Sequence, residues 1–131
     1  ARKYTKDKDI LPLVRSGEKV EEVSASDENE MLSKIDEKIQ SLSSWGCETI
    51  SIITRNIKEA KYVYEYLKKD NSISLIDTED KILRKGISVI PSYFAKGLEF
   101  DGVIIPKITE IEDNLLYIMC TRALHRLVII S

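Results

Sequence analysis

Two rhythms of apolar residues take turns along this chain. Met31, Ile35, Ile39 and Leu42 recur at the spacing of one helix face and predict a helix over 27–43. Ser26 or Asp27 starts it, because either side chain can accept a hydrogen bond from an unpaired N–H of the first turn. Asp27 followed by Glu30 has capping-box spacing, and Gly46 suits the helix end. Ile57, Ala60, Tyr64 and Leu67 repeat the pattern over 57–69, with Asn56 and Glu59 at the same cap spacing. Between the helices the rhythm changes to short runs rich in β-branched residues: "KVEEVSAS" (19–26), "TISIIT" (49–54), "SISLID" (72–77), "GISVIP" (86–91), "GVIIP" (102–106) and "RLVIIS" (126–131). Each predicts a strand. Residues 110–124 are apolar on nearly every side, behind Thr109 and Glu112 at cap spacing, and predict a fully buried helix.

Helices and strands therefore alternate, and several strands are continuous apolar runs. Both features point to an α/β fold with a mostly parallel sheet flanked by helices on both faces. One domain is expected over 19–131. Residues 1–18, polar and broken by Pro12 and Gly17, read as a linker or short helix, and 70–85 is the most loop-like interior stretch.

Composition narrows the class. The chain has 131 residues, 43% hydrophobic and 32% charged, a globular mixture long enough to bury a core. A net charge of −2 argues against gripping nucleic acid by charge alone, although 20 Lys and Arg leave room for a local patch. Cys47 and Cys120 stand far apart among apolar residues and read as buried free thiols, which fits a reducing cytoplasm. A single His, His125, offers no zinc site and no His-centred triad. The charged start "ARKYTKDKDI" has no apolar signal core and reads as a domain cut from a longer protein.

Candidate chemistry gathers around "FAKGLEFDGVIIP" (94–106) and "CTRALHR" (120–126). A strand needs neither Lys96, Gly97, Glu99 nor Asp101 at its entrance. Arg122, near the end of an apolar helix, needs a partner, because a lone buried charge is costly. A phosphate matches its planar fork. Arg55 follows the strand 49–54, where ligands of open α/β sheets gather. Each residue also has a plainer reading. Arg55 can be an exposed loop residue, and Arg122 can favour the negative end of its helix beside His125 and Arg126. Lys96 and Glu99 can form a weak surface pair, and Gly97 can serve a turn with positive φ. Tyr62, Tyr64 and Tyr66 read as packing and rim residues.

"AKGLEFDGVII" followed by "NLLYIMCTRALHRLVII" resembles the late motifs of the UvrD/Rep-like superfamily 1 helicases, in their C-terminal RecA-like domain. "RSGEKV" (15–20) and "ISVIPSYFAKGLEFDGVII" are similar to the helicase IV or HelD-like branch, and "SIITRNIKEA" (51–60) falls where the family places its fourth motif. The resemblance covers about 15–131. It implies a ribose contact for Glu99, close backbone approach at Gly97, and arginine fingers on the γ-phosphate at Arg122 and Arg55. It implies single-strand contacts around Ser92, Tyr93 and Lys96. Pro91 and Tyr93 replace the family's Thr-x-His, and Thr54 replaces a base-stacking tyrosine. No G-x-x-x-x-G-K-[ST] phosphate loop occurs in the chain. The resemblance thus implies ATP with Mg2+ shared with an N-terminal RecA-like domain, which supplies the phosphate loop and the metal ligands. Single-stranded DNA is the implied track. The HelD-like branch implies RNA polymerase as an alternative partner, with remodelling in place of unwinding.

Overall fold

The computed structural model describes residues 19–69, 72–81 and 85–131; the expected linker or short helix over 1–18 lies outside the described residues. Six strands form one sheet: β1 (Lys19–Val23), β2 (Thr49–Thr54), β3 (Ile73–Leu75), β4 (Gly86–Pro91), β5 (Phe100–Pro106) and β6 (Ala123–Ile130). Their order is β1-β6-β5-β2-β4-β3, and every pairing is parallel. Helices α1 (Glu28–Trp45), α2 (Ile57–Leu67), α3 (Ser92–Ala95) and α4 (Asp113–Cys120) complete the domain, with a short 3-10 turn at Glu79–Lys81.

The period-two geometry of the strands divides the core. Ile52, Ile104, Val128 and Ile130 face α1 and α2, where they meet Ile35, Ile39, Ala60 and Val63. Ile53, Val103, Ile105, Leu127 and Ile129 face the opposite way, onto Ala95, Leu116, Met119 and Cys120 of α3 and α4. Both faces are thus covered, which is why these strands read as unbroken apolar runs. The sheet and its two helical layers form the expected α/β, RecA-like arrangement.

Local signals set the helix ends. The Asp27 side chain accepts from the Glu30 N–H, the Asn56 side chain accepts from the Glu59 N–H, and Gly46 ends α1 in the left-handed region at φ 117. The largest difference from the expected layout lies at 110–124. Helix α4 spans only Asp113–Cys120, and Ala123 and Leu124 already belong to β6. Glu112 precedes the helix without a side-chain cap, because the Thr109 hydroxyl donates to Glu59 instead. The segment looked apolar on every side because a helix and the head of a buried strand were fused in it. Strand β3 is also shorter than 72–77, and its carboxyl end gives way to the turn at Glu79–Lys81.

Candidate functional site

The connection from β4 to β5 carries most of the candidate residues. It must travel from the carboxyl edge of the sheet to its amino edge, crossing β2. It does so in residues 92–99, fewer than the dozen or so usual for a parallel crossover. One turn of helix, α3, begins the descent, and Leu98 N–H donates to the Ala95 carbonyl (3.0 Å) to close it. Gly97 then takes φ 77, a conformation that costs other residues about 1–2 kcal/mol. A Cβ at Gly97 would meet nothing within 4 Å, so the backbone angle, not crowding within the domain, calls for glycine.

The crossover separates the candidates by edge. Ser92 lies at the carboxyl edge, where its hydroxyl donates to the Arg55 carbonyl (3.1 Å). Tyr93 beside it is half exposed, with its ring 4.7 Å from that of Phe94. Lys96 is exposed on the descending stretch. Glu99 is exposed at the amino edge, next to Arg122 at the mouth of β6, and the Arg122 carbonyl accepts from Phe100 N–H (2.8 Å). Arg122 reaches Leu98 O (3.4 Å) through Nη1 and Thr121 Oγ1 (3.0 Å) through Nη2, while its Nε is buried with no hydrogen-bond partner.

The fold brings Glu99 and Arg122 together, and Ser92 and Arg55 together, but it does not bring the two arginines together. Ile52, Ile104 and Val128 lie level across the sheet. Arg55 lies beyond Ile52 toward the carboxyl edge, and Arg122 lies well before Val128 toward the amino edge. At the usual rise per residue they are roughly 25 Å apart along the strands. The register thus sets the two backbones at opposite edges of the sheet.

Asp101 and Gly102 have a different task. Asp101 Oδ2 accepts from the N–H groups of Glu48 (2.8 Å) and Thr49 (3.2 Å), and its own N–H donates to Thr49 Oγ1 (2.9 Å). The carboxylate thereby satisfies the backbone donors that enter β2. A Cβ on Gly102 would stand 3.0 Å from Cys47 Sγ and 3.1 Å from Leu42 Cδ1, so glycine lets α1 lie close on β5. Cys47 and Cys120 are free; Cys120 is buried and Cys47 half-buried. Burial, followed by the Asp101 carboxylate, pushes the Cys47 thiol up, with Arg126 opposing.

Two clusters escaped the sequence. Glu59 is only 7% exposed; its Oε2 accepts from Thr109 Oγ1 (2.8 Å) and Arg55 Nε (3.4 Å), and its Oε1 is buried without a partner. Only the Arg55–Glu59 interval, one helical turn, was readable as a signal. The Arg126 guanidinium lies 3.8 Å from the ring centre of Trp45, which is half exposed at the end of α1. Among the described residues no group of three or more His, Cys, Asp or Glu could hold a metal ion, and no helix is long and apolar enough to cross a membrane.

The fold and the two edges define a RecA-like α/β domain. Residues 86–130, which hold the crossover, α4 and β6, match the family model of the UvrD-like helicase C-terminal domain. Among solved structures, the C-terminal domain of a possible DNA helicase from Lactobacillus plantarum WCFS1 is similar, with a TM-score of 0.76 and 28% identity over 88% of this chain and 74% of that one. The arterivirus nonstructural protein 10 helicase, in complex with DNA, shares the fold with a TM-score of 0.62 and 11% identity, over 86% of this chain and 28% of its own. No curated protein matches. The chain is thus similar to helicase C-terminal domains; the family-model match takes in Ser92, Tyr93, Lys96, Gly97, Glu99 and Arg122 but not Arg55.

Proposed function

We propose that this domain is the second RecA-like half of an ATP-driven motor that moves on single-stranded DNA. Its amino edge serves the nucleotide and its carboxyl edge serves the strand. The observation that carries the reading is Arg122: a half-buried guanidinium with an unpartnered Nε, set beside an exposed carboxylate, Glu99, at one edge. Buried donors without partners are rare, and while Arg126 Nε shares that state under the Trp45 ring, Arg122 stands at the sheet edge, where a phosphate oxygen would supply the partner. Arg122 would face the γ-phosphate and Glu99 would accept from a ribose hydroxyl. Bound ATP with Mg2+ would supply the phosphoryl group transferred to water. Its phosphate loop and metal ligands would come from an N-terminal RecA-like domain of the same protein. The part of this chain is electrostatic: a preformed positive charge where negative charge develops.

Arg55, on this reading, belongs with Ser92, Tyr93 and Lys96 on the strand side rather than with Arg122. Tyr93 offers a ring for base stacking and Lys96 a charge for a phosphate. The two arginines are therefore expected to separate two functions. In the protein that joins this domain to a phosphate-loop domain, Arg122→Ala should lower kcat for ATP by roughly 10³-fold or more and leave strand binding intact. Arg55→Ala should weaken strand binding and leave basal, strand-free turnover near normal. Loss of basal turnover in both variants, with melting unchanged, would return Arg55 to the nucleotide site. A second reading, remodelling of RNA polymerase, draws on Pro91, which stands at the carboxyl edge where relatives carry a hydroxyl. Binding to polymerase in the absence of DNA would favour it.

A further inference from the structure

Glu59 is the unusual group of the carboxyl edge. A carboxylate in the first turn of α2 gains from the helix dipole without leaving water, yet this one is 7% exposed. One of its oxygens has no partner, a costly state for a buried charged group. Packing gives no reason to keep it, since Ala60, Val63 and Leu67 already fill the inner face of α2. Its contacts do. Oε2 joins two loops that are distant in sequence: the Thr109 hydroxyl after β5 donates to it, and so does Arg55 Nε after β2. A third loop is tied in through Arg55 itself, whose carbonyl accepts from Ser92.

The stereochemistry at Arg55 follows from this. With Nε turned toward Glu59, the guanidinium is held by its side edge, and its Nη1/Nη2 fork is left for a ligand. The Arg55 side chain is 40% exposed and borders an open pocket of about 270 Å³ together with Asn56, Lys58, Tyr62 and Thr109, and the Glu28 carboxylate, which accepts from the Tyr62 hydroxyl, lines it too. A cavity of that size admits a phosphate or one unit of a strand, not a large ligand.

We infer that Glu59 is a positioning residue: it fixes Arg55 so that the free fork meets a backbone phosphate of the strand. The assignment rests on the carboxyl edge being the strand side. It makes a prediction of unusual sign. Glu59 is negative and so is DNA, so removing its charge should strengthen binding if field alone mattered. If Glu59 aims Arg55, removing it should weaken binding.

The experiment measures binding of the chain to an oligothymidylate over a series of salt concentrations, with thermal melting alongside. Arg55→Ala should weaken binding roughly tenfold at low salt, the scale of one charge-assisted contact, and lower the salt slope by about 0.7. Glu59→Leu should reproduce both changes, and in the Arg55→Ala background it should add nothing, as expected for residues acting as one unit. Glu59→Gln keeps the side chain's shape and an acceptor, so it should fall between wild type and Glu59→Leu. If Glu59→Leu does not fold, Glu59→Gln carries the sign test. Binding by the folded Glu59 variant that equals or exceeds that of the wild type overturns the positioning role and spares the strand reading. Salt-insensitive or absent binding by the wild-type chain overturns the strand reading, and the assignment falls with it.

Discussion

Glu30 turns its carboxylate back onto Ser26, accepting from the Ser26 N–H (2.6 Å) and hydroxyl (2.7 Å) while Asp27 takes the Glu30 N–H (2.8 Å). The Ser26 N–H, followed by its hydroxyl, holds the Glu30 carboxyl below its ordinary value of 4.5. A carboxyl held low in the folded state binds fewer protons there than in the unfolded chain. Its contribution to stability is therefore complete above about pH 5 and lost as pH falls through the lowered folded value. Glu30→Gln should melt below the wild type near neutral pH and converge with it as pH falls through the lowered folded value. A constant difference in melting temperature across that range would mean that the charge is not what Ser26 recognises. Caps of this kind are legible in the sequence because every partner lies within four residues. Glu59 was not, because its partner Thr109 is fifty residues away and only the sheet brings them together. Thr109 itself looked like a cap, since its local spacing to Glu112 is right and its tertiary partner is invisible.

Elements were legible where their ends carried local chemistry and illegible where two apolar elements touched. Strand β2 matched its expected bounds, flanked as it is by Glu48 before and the cap Asn56 after. The join between α4 and β6 did not, because "MCTRALH" offers neither glycine nor proline to mark the change. That misreading hid the edges. With Arg122 placed within a helix, nothing showed that it stands at the mouth of a strand while Arg55 stands at the exit of another. In a parallel sheet, a residue before a strand and one after a strand lie at opposite edges, so the separation was present in the chain once the boundary was known. The packing of α1 on β5 gives a test at this scale. Gly102→Ala should destabilise the fold by about 1–3 kcal/mol, the usual cost of overpacking, because the new Cβ meets Cys47 Sγ and Leu42 Cδ1. Urea denaturation measures the loss, and adding Cys47→Ala should recover part of it. No loss would show that α1 rides freely over the sheet.

At the scale of the whole molecule, every crossover of the parallel sheet runs from one edge to the other, and the β4–β5 connection does so in the short stretch that carries the candidate residues. Residues 92–99 begin beside Arg55 and end beside Arg122, so on the proposed reading a strand at one end and a nucleotide at the other would hold the same short segment. Coupling between two sites is reciprocal and needs an element that both bias. The crossover is that element on the proposed reading, and Gly97 is its conformational hinge, at φ 77 with open space around it. Gly97→Ala therefore changes the backbone preference without displacing any neighbour within the domain, at a cost of about 1–2 kcal/mol. In the protein that carries both RecA-like domains, this variant should keep ATP and strand affinity within a few-fold, but lose most of the stimulation of ATP turnover by single strands. Gly97→Asn, which tolerates the left-handed region better, should lose less. The quantity to measure is the ratio of turnover with and without strand, with melting as a control. An unchanged ratio in Gly97→Ala, in a folded protein, would mean that strand and nucleotide communicate through other parts of the molecule.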